Sequence, residues 1–303
     1  MKVLLAGGTG FIGKNLVQLL TKNGIEVQVL QRKQSGKSES NPLVKYFQWN
    51  PSKGEIDLHA FSNIDAVINL AGEGIADKKW TSERKKAIVE SRLKAVETLE
   101  KGILDSACKV KTFVGASAVG YYGSGISATI FSETNSASTD FLGETCKKWE
   151  NAYSSICNTG IRTCIVRIGI VLSKEGAAFH KMKMPVSLGL GSALGSGEQW
   201  MPWIHMTDVC GIIYHLLKNE KCSGVYNAVS EEHITNRDFL RRMAHQIKRP
   251  FFLPAVPEFI LKLVFGEMSI IVLGGSRVSA EKIRKCGYTF EFPDIKTAFK
   301  NLC

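Results

Sequence analysis

The chain has 303 residues, 44% hydrophobic and 22% charged, which is enough apolar material for a large core and excludes disorder as the default. Lys and Arg number 39 against 28 acids, a net charge of +11, but the excess is spread along the chain and no motif presents aromatics or a recognition helix to bases. Nucleic acid is therefore not an expected partner, and the longest apolar stretch, from Phe259, is broken by Lys262 and Glu267, which argues against a membrane span.

From the first residues, strand-like runs alternate with helix-length segments. Val3 to Ala6 reads as a strand, and the apolar run after Met1-Lys2 is too short for a signal peptide. LLAGGTGFIGKNL comes next, with Gly7, Gly8, Gly10 and Gly13 between that strand and a helix over Phe11 to Thr21. In this context the glycines allow a tight turn, approach of backbone N–H groups to a pyrophosphate and close packing of helix on strand. Thr9, Phe11 and Ile12 complete the turn, and the uncapped helix N-terminus offers donors to phosphate.

Ile25 to Leu30 is the second strand. It ends in Gln31, Arg32 and Lys33, where an acid would bind the adenosine ribose of NAD. Two cations there suit a 2′-phosphate, so NADP(H) is expected over NAD(H). Residues Gln34 to Ser62, with Asn50-Pro51 and Ser52-Lys53-Gly54, read as a long loose excursion. Ala66 to Leu70 is a further strand, and a helix spans Thr81 to Leu104. Its charge cluster, Arg84-Lys85-Lys86, reads as a solvated face.

Val110 to Val114 is a strand that leads into GASAVGYYGS, with Ser117, Tyr121 and Tyr122. A helix over Thr139 to Ser155 and a strand over Thr163 to Ile168 follow. After Ile170 the pattern changes: glycine-rich 189–197, then WMPWIHMTDV, a helix from Asp208 to Lys218, the strand GVYNAV, and a helix from Asn236 to Ile247. The alternation predicts an α/β fold, a doubly wound parallel (Rossmann) sheet. Arg249-Pro250 marks a boundary between a unit over 1–249, with substrate-side segments after residue 170, and a smaller C-terminal region over 250–303.

The eight cysteines are far apart, with no Cys-x-x-Cys pair and no His at metal-ligand spacing. No metal site and no disulfide scaffold are expected. Reduced, buried thiols point to a cytoplasmic or similarly reducing compartment.

GGTGFIG, NLAGEGIAD at 69–77, GASAVGYYG and WIHMTDV at 203–209 together resemble the extended short-chain dehydrogenase/reductases. The similarity is closest to an epimerase-like branch with a short C-terminal domain of unknown function. That resemblance implies NAD(P) binding and a small-molecule substrate held by C-terminal segments. Leu70, Ala71 and Gly72 would line the adenosine-diphosphate path, and Arg92 would reach cofactor phosphates or form a surface ion pair. Ser117 would hydrogen-bond the reacting oxygen.

The superfamily's Tyr-x-x-x-Lys pair is absent: FLGETCKKWEN places Leu142 and Cys146 at those positions, and shifting to Lys147 or Lys148 supplies no tyrosine. Tyr214 and Lys218 have the spacing but lie on a helix away from the nicotinamide side. Tyr121 is the first choice of proton donor, with Tyr122 beside it. Arg167 would bind an anion or form a buried pair. His205 and Asp208 would do acid–base work or, as the resemblance implies, belong to a structural turn entering a helix, and Gln199, Trp200 and Trp203 line a pocket or pack in the core. The expected activity is that of an NADP(H)-dependent oxidoreductase or epimerase. The alternative is a low-turnover NADP(H)-binding sensor.

Overall fold

The computed structural model describes residues 1–32, 41–106 and 108–303. In chain order the elements are β1 (Lys2–Ala6), α1 (Phe11–Lys22), β2 (Glu26–Gln31), β3 (Val44–Asn50), β4 (Glu55–Ile56), β5 (Ala66–Asn69), α2 (Ser82–Asp105), β6 (Thr112–Ala118), β7 (Ile130–Phe131), α3 (Phe141–Ala152) and α4 (Ser154–Asn158). There follow β8 (Arg162–Ile168), β9 (Ile170–Leu172), α5 (Ala177–Ser187), β10 (Trp203–His205), α6 (Met206–Lys218), β11 (Gly224–Ala228) and α7 (Asn236–Gln246). The C-terminal region adds α8 (Glu258–Phe265), α9 (Ile270–Leu273), β12 (Arg277–Val278), α10 (Glu281–Lys285) and α11 (Ile295–Leu302).

Eight strands form one sheet in the order β11-β8-β6-β5-β1-β2-β3-β4, parallel throughout except where β4 turns back on β3. Chain order reverses at β1, so a crevice opens there at the carboxyl ends of the strands. This is the doubly wound α/β fold expected from the alternation.

The period of two along each strand divides its side chains between two cores. On β1, Val3 and Leu5 face the core shared with Leu16 and Leu20 of α1 and Val209, Ile213 and Leu217 of α6. Leu4 and Ala6 face Val96 and Leu99 of α2 and Trp149 of α3. Each such leucine, fully buried, contributes about 1.5–3 kcal/mol. A third core joins Phe179, Trp203, Phe239, Phe292 and Phe299, so the last helix packs on segments that follow the sheet.

Two expectations are corrected. The segment Gln34 to Ser62 is no loose excursion over its described part, because β3 extends the sheet in parallel register with β2. Val44 and Tyr46 pack on the core shared with α1 and α6 and Phe47 and Trp49 on the opposite one, so both faces of β3 carry apolar side chains and the sequence shows no period-two pattern. The cysteines are not all reduced: Cys222 and Cys286 form a disulfide across a sequence separation of 64. The α10 segment folds back on β11 and brings them together, which local spacing does not reveal. Cys108, Cys146, Cys157, Cys164, Cys210 and Cys303 are free thiols.

The C-terminal region is woven into the rest. β12 pairs with β7, and the Ser276 hydroxyl donates to the carbonyl of Gly123 at 2.9 Å. Asp208 at the start of α6, fully buried, accepts from the Tyr288 hydroxyl at 2.9 Å and from the backbone N–H groups of Glu291 and Phe292 at 2.8 and 3.0 Å. Burial raises its pKa and the three donors act against that rise. His205 caps α6 by accepting from Thr207 N–H and stacks on Phe292 with ring centroids 3.8 Å apart. Both residues of WIHMTDV are thus structural, as their motif suggests.

Candidate functional site

At the end of β1 the chain turns through Gly7, whose φ of +81° suits glycine. A Cβ on Gly7 would lie 2.7 Å from the backbone of Leu70, and one on Gly13 only 2.1 Å from the Gly7 carbonyl. The turn therefore lies directly between β5 and the first turn of α1. Gly10 caps α1 in an extended conformation with no side-chain cap, and no acid stands in the first helical turn. The helix N–H groups are left for an anionic ligand. Thr9 and Gly10 are exposed, Phe11 is 40% exposed, and Ile12 packs inward on the core.

A cavity of about 470 Å³ opens over this turn. Gly7, Thr9 and Gly10 form its floor, Arg32 and the end of β3 one side, and Leu70, Ala71 and Gly72 the other. A turn that admits no Cβ at Gly7 or Gly13, an uncapped helix start and a crevice at the strand reversal fit the diphosphate of a dinucleotide. The Arg32 side chain is 75% exposed and 3.6 Å from Glu73. Lys33, the second cation expected there, lies outside the described residues.

Further polar residues line the same cavity: Asn50 at the end of β3, Ser52 after it, and Arg84, Ser91 and Lys94 on α2. The sequence marks none of them as site residues, because β3 has no period-two pattern and Arg84 sits in a run of cations, Arg84-Lys85-Lys86. Arg84 is instead largely buried, bonded to Glu73 at 2.9 Å and to the Gly74 carbonyl at 2.6 Å. The hydrogen bond from Arg84 lowers the pKa of Glu73. Arg92 forms no surface ion pair with a described residue. Its guanidinium donates to the carbonyls of Ile88 at 2.7 Å and Glu73 at 3.1 Å, stands 4.9 Å over the Trp149 ring and backs Gly72. Burial lowers its pKa. Asn69 accepts from Ala71 N–H at 3.0 Å, fixing the bend that leaves β5.

At the carboxyl end of β6 lies the second half of the site. GASA completes the strand and VGYY forms a 3-10 turn after it. Ser117 is buried, and its hydroxyl donates to Oε1 of Glu150 on α3 at 2.6 Å. Arg167, directly opposite on β8, binds both oxygens of that carboxylate at 2.8 Å and donates to the Tyr122 hydroxyl at 2.8 Å. Tyr122 in turn donates to Asn227 at 2.7 Å, and burial pushes its phenol up to about 12 against the opposing pull of Arg167. The buried-pair alternative for Arg167 is the one observed. Burial lowers the guanidinium's pKa, but the Glu150 carboxylate more than offsets this, so the net shift is upward.

Tyr121 is half-buried with the Arg167 guanidinium 3.4 Å from its ring centroid, and its phenol makes no hydrogen bond to a described residue. On α3, Leu142 and Cys146 both face Gly120 of the turn. They are the residues that stand where the resemblance would put a tyrosine and a lysine. Burial pushes the Cys146 thiol up to about 11, which keeps it protonated and a poor nucleophile. Tyr214 bonds to Asn23 at the end of α1, away from this group.

Residues after Ile170 close over the sheet edge. Gln199 is buried and donates to the carbonyls of Leu194 and Val272. Trp200 donates to the Ser127 carbonyl at 2.9 Å with Arg277 4.9 Å over its ring, and Trp203 is fully buried in the third core.

The sequence matches the NAD dependent epimerase/dehydratase family over residues 3–228 and a domain of unknown function over 256–302. It is 34% identical to the epimerase family protein YfhF of Bacillus subtilis over 302 residues, covering 100% of this chain and 98% of that protein. The crystal structure of human epimerase family protein SDR39U1 with NADPH is similar at a TM-score of 0.86 and 33% identity, covering 100% and 99% of the two chains. A nucleoside-diphosphate sugar epimerase from Corynebacterium glutamicum matches at a TM-score of 0.80 and 27% identity, covering 100% of this chain and 58% of that one. With its glycine turn, its strand order and this likeness along its whole length, the chain belongs to the NAD dependent epimerase/dehydratase family.

Proposed function

We propose that the chain is an NADP(H)-dependent oxidoreductase or epimerase acting on a small or nucleotide-linked substrate, with Tyr121 as its proton donor. The observation that carries this is the cavity of about 470 Å³ over the glycine turn, with the exposed Arg32 guanidinium just past the end of β2, 3.6 Å from Glu73, where it can turn to a 2′-phosphate. The human relative crystallised with NADPH supports the phosphorylated cofactor, and the Corynebacterium glutamicum sugar epimerase supports a nucleotide-linked substrate. A bound nicotinamide dinucleotide supplies reversible two-electron oxidation at carbon.

The chain's own residues bind and orient. Backbone N–H groups of the turn and of α1 hold the diphosphate, and Arg32 pairs with the 2′-phosphate. The Tyr121 phenol exchanges the proton, its ring held in place by Arg167. Ser117 is a positioning residue in this geometry, because its single O–H is committed to Glu150. The six free thiols suit a cytoplasmic or comparably reducing compartment. No helix among the described residues is long and apolar enough to cross a membrane.

The low-turnover sensor is favoured by one observation, that Leu142 and Cys146 fill the space beside the turn. The two readings separate when NADPH consumption by small carbonyl compounds and formation of the epimer from nucleoside-diphosphate sugars, which consumes no net NADPH, are both followed alongside direct NADPH titration. Turnover that falls about 10²-fold or more in Tyr121→Phe supports the enzyme. Tight NADPH binding without turnover on any member supports the sensor.

A further inference from the structure

His215 in the last turn of α6, Cys222 in the turn before β11 and Cys286 at the end of α10 come together on the side of the molecule away from the dinucleotide cavity. A ring nitrogen of His215 and the two Sγ atoms lie within 4.8 Å of one another. We propose that, once its disulfide is reduced, this triad is a binding site for a thiophilic divalent cation such as Zn²⁺.

Ligand type, spacing and support argue for it together. Two thiolates and an imidazole are a common zinc donor set, and donor atoms around tetrahedral zinc stand roughly 3.5 Å apart. Small side-chain adjustments therefore suffice from the observed spacing once the sulfurs are no longer bonded. Partners that would hold the ligands are already present. The Cys286 carbonyl is 3.0 Å from His215 Nε2 and accepts from Asn219 Nδ2 at 3.3 Å, which fixes the ring as outer-shell partners do in metal sites. The Tyr288 ring packs edge-on against His215. Arg162 donates to the Cys222 carbonyl at 2.8 Å, bringing positive charge near that cysteine, and the Tyr226 hydroxyl lies 3.7 Å from Cys286 Sγ. Cys222 is fully buried, while His215 and Cys286 are half-buried, so an ion can enter. The fourth position would be left to water or Tyr226.

The chemistry balances. A dithiol or phosphine reductant supplies two electrons, two protons complete the thiols, and Cys222–Cys286 opens. A zinc ion then displaces both thiol protons to form two metal–thiolate bonds. Disulfide and metal would be alternative clasps between α6 and the C-terminal region, and neither depends on the proposed catalytic activity.

The test loads the full-length chain with Zn²⁺ after phosphine reduction and measures retained metal by competition with a chromophoric chelator. A parallel sample takes Co²⁺ and is read for the thiolate-to-cobalt charge-transfer band. The expected result is one ion per reduced chain, no binding by the oxidised chain, loss in Cys286→Ser, a weakening of at least about 10-fold in His215→Ala, and no change in the exposed-cysteine control Cys157→Ser. Cys222→Ser is buried and serves only if it stays folded; the two half-buried positions decide the matter. The proposal is overturned if the reduced chain retains no zinc, if Cys286→Ser or His215→Ala binds it as the unmodified chain does, or if cobalt shows no thiolate band.

Discussion

Ser117 and Arg167 stand opposite each other in register on β6 and β8 and share one oxygen of Glu150, at 2.6 and 2.8 Å. The carboxylate thus joins two strands to α3 beneath the turn that carries Tyr121. Both charged side chains are nearly sequestered, 3% and 9% exposed. Glu150→Gln should leave Arg167 buried without its counter-charge and cost about 3–5 kcal/mol. Ser117→Ala, which leaves the ion pair intact, should cost about 1–2 kcal/mol. Urea denaturation of the two variants reads the difference, and equal losses would show that the pair is not what holds this edge.

A Cβ on Gly10 meets a single protein atom, the Gly7 carbonyl at 3.2 Å. Gly10→Val should therefore fold while its branched side chain stands in the space for a diphosphate. Gly13→Ala must displace α1, because its Cβ falls 2.1 Å from the same carbonyl. NADPH binding followed by fluorescence should vanish in the first variant at nearly unchanged Tm. The second should lose both, and a Gly10→Val chain that binds normally would mean the turn plays no part in binding.

Removal of the guanidinium in Arg32→Ala should weaken NADPH by roughly 10-fold or more, the scale of a charge-assisted contact. NADH, which has no 2′-phosphate, should change little. Calorimetric titration of both cofactors into both proteins measures this. Equal NADPH and NADH affinities in the unmodified chain would count against a cation-selected phosphate.

Burial lowers the folded-state pKa of His205 below its ordinary value of 6.5, and of His233 likewise. A lowered histidine disfavours the proton in the folded chain. Its stability contribution is therefore complete above pH 6.5 and is lost as pH falls from there toward the depressed folded value. Glu73, lowered from 4.5, adds its loss in a more acidic window. His205→Asn keeps a capping acceptor for α6 and removes one titrating ring, so its denaturation midpoint should fall less steeply from pH 6.5 to about 5 than that of the unmodified chain.

Local signals made much of this molecule readable in advance. The glycine turn declared itself because Gly7, Gly10 and Gly13 each answer a backbone demand within a few residues. The strand VLLA and the helix from Phe11 declared themselves by period. What escaped depends on distant chain. Glu150 appears in FLGETCKKWEN as one more helix acid, and nothing near it shows that Ser117 and Arg167 converge on it from two strands. Arg84 looked solvated because Glu73, its partner, is 11 residues away across a loop. The strand β3 shows no period of two because Val44 and Tyr46 serve one core and Phe47 and Trp49 the other.

The way Asp208 grips residues 288–292 bears on how the protein comes apart. The family models divide the chain into two pieces, yet a carboxylate fully buried in the first has its three donors in the second. Cutting the chain before residue 256 would remove all three donors of that carboxylate and uncover the apolar side chains of Phe179, Trp203 and Phe239 that pack with the last helix. The last 50 or so residues are on this account less an appended module than the lid of a box whose hinge is cast into its wall. Heating should melt the two pieces in one step rather than in sequence.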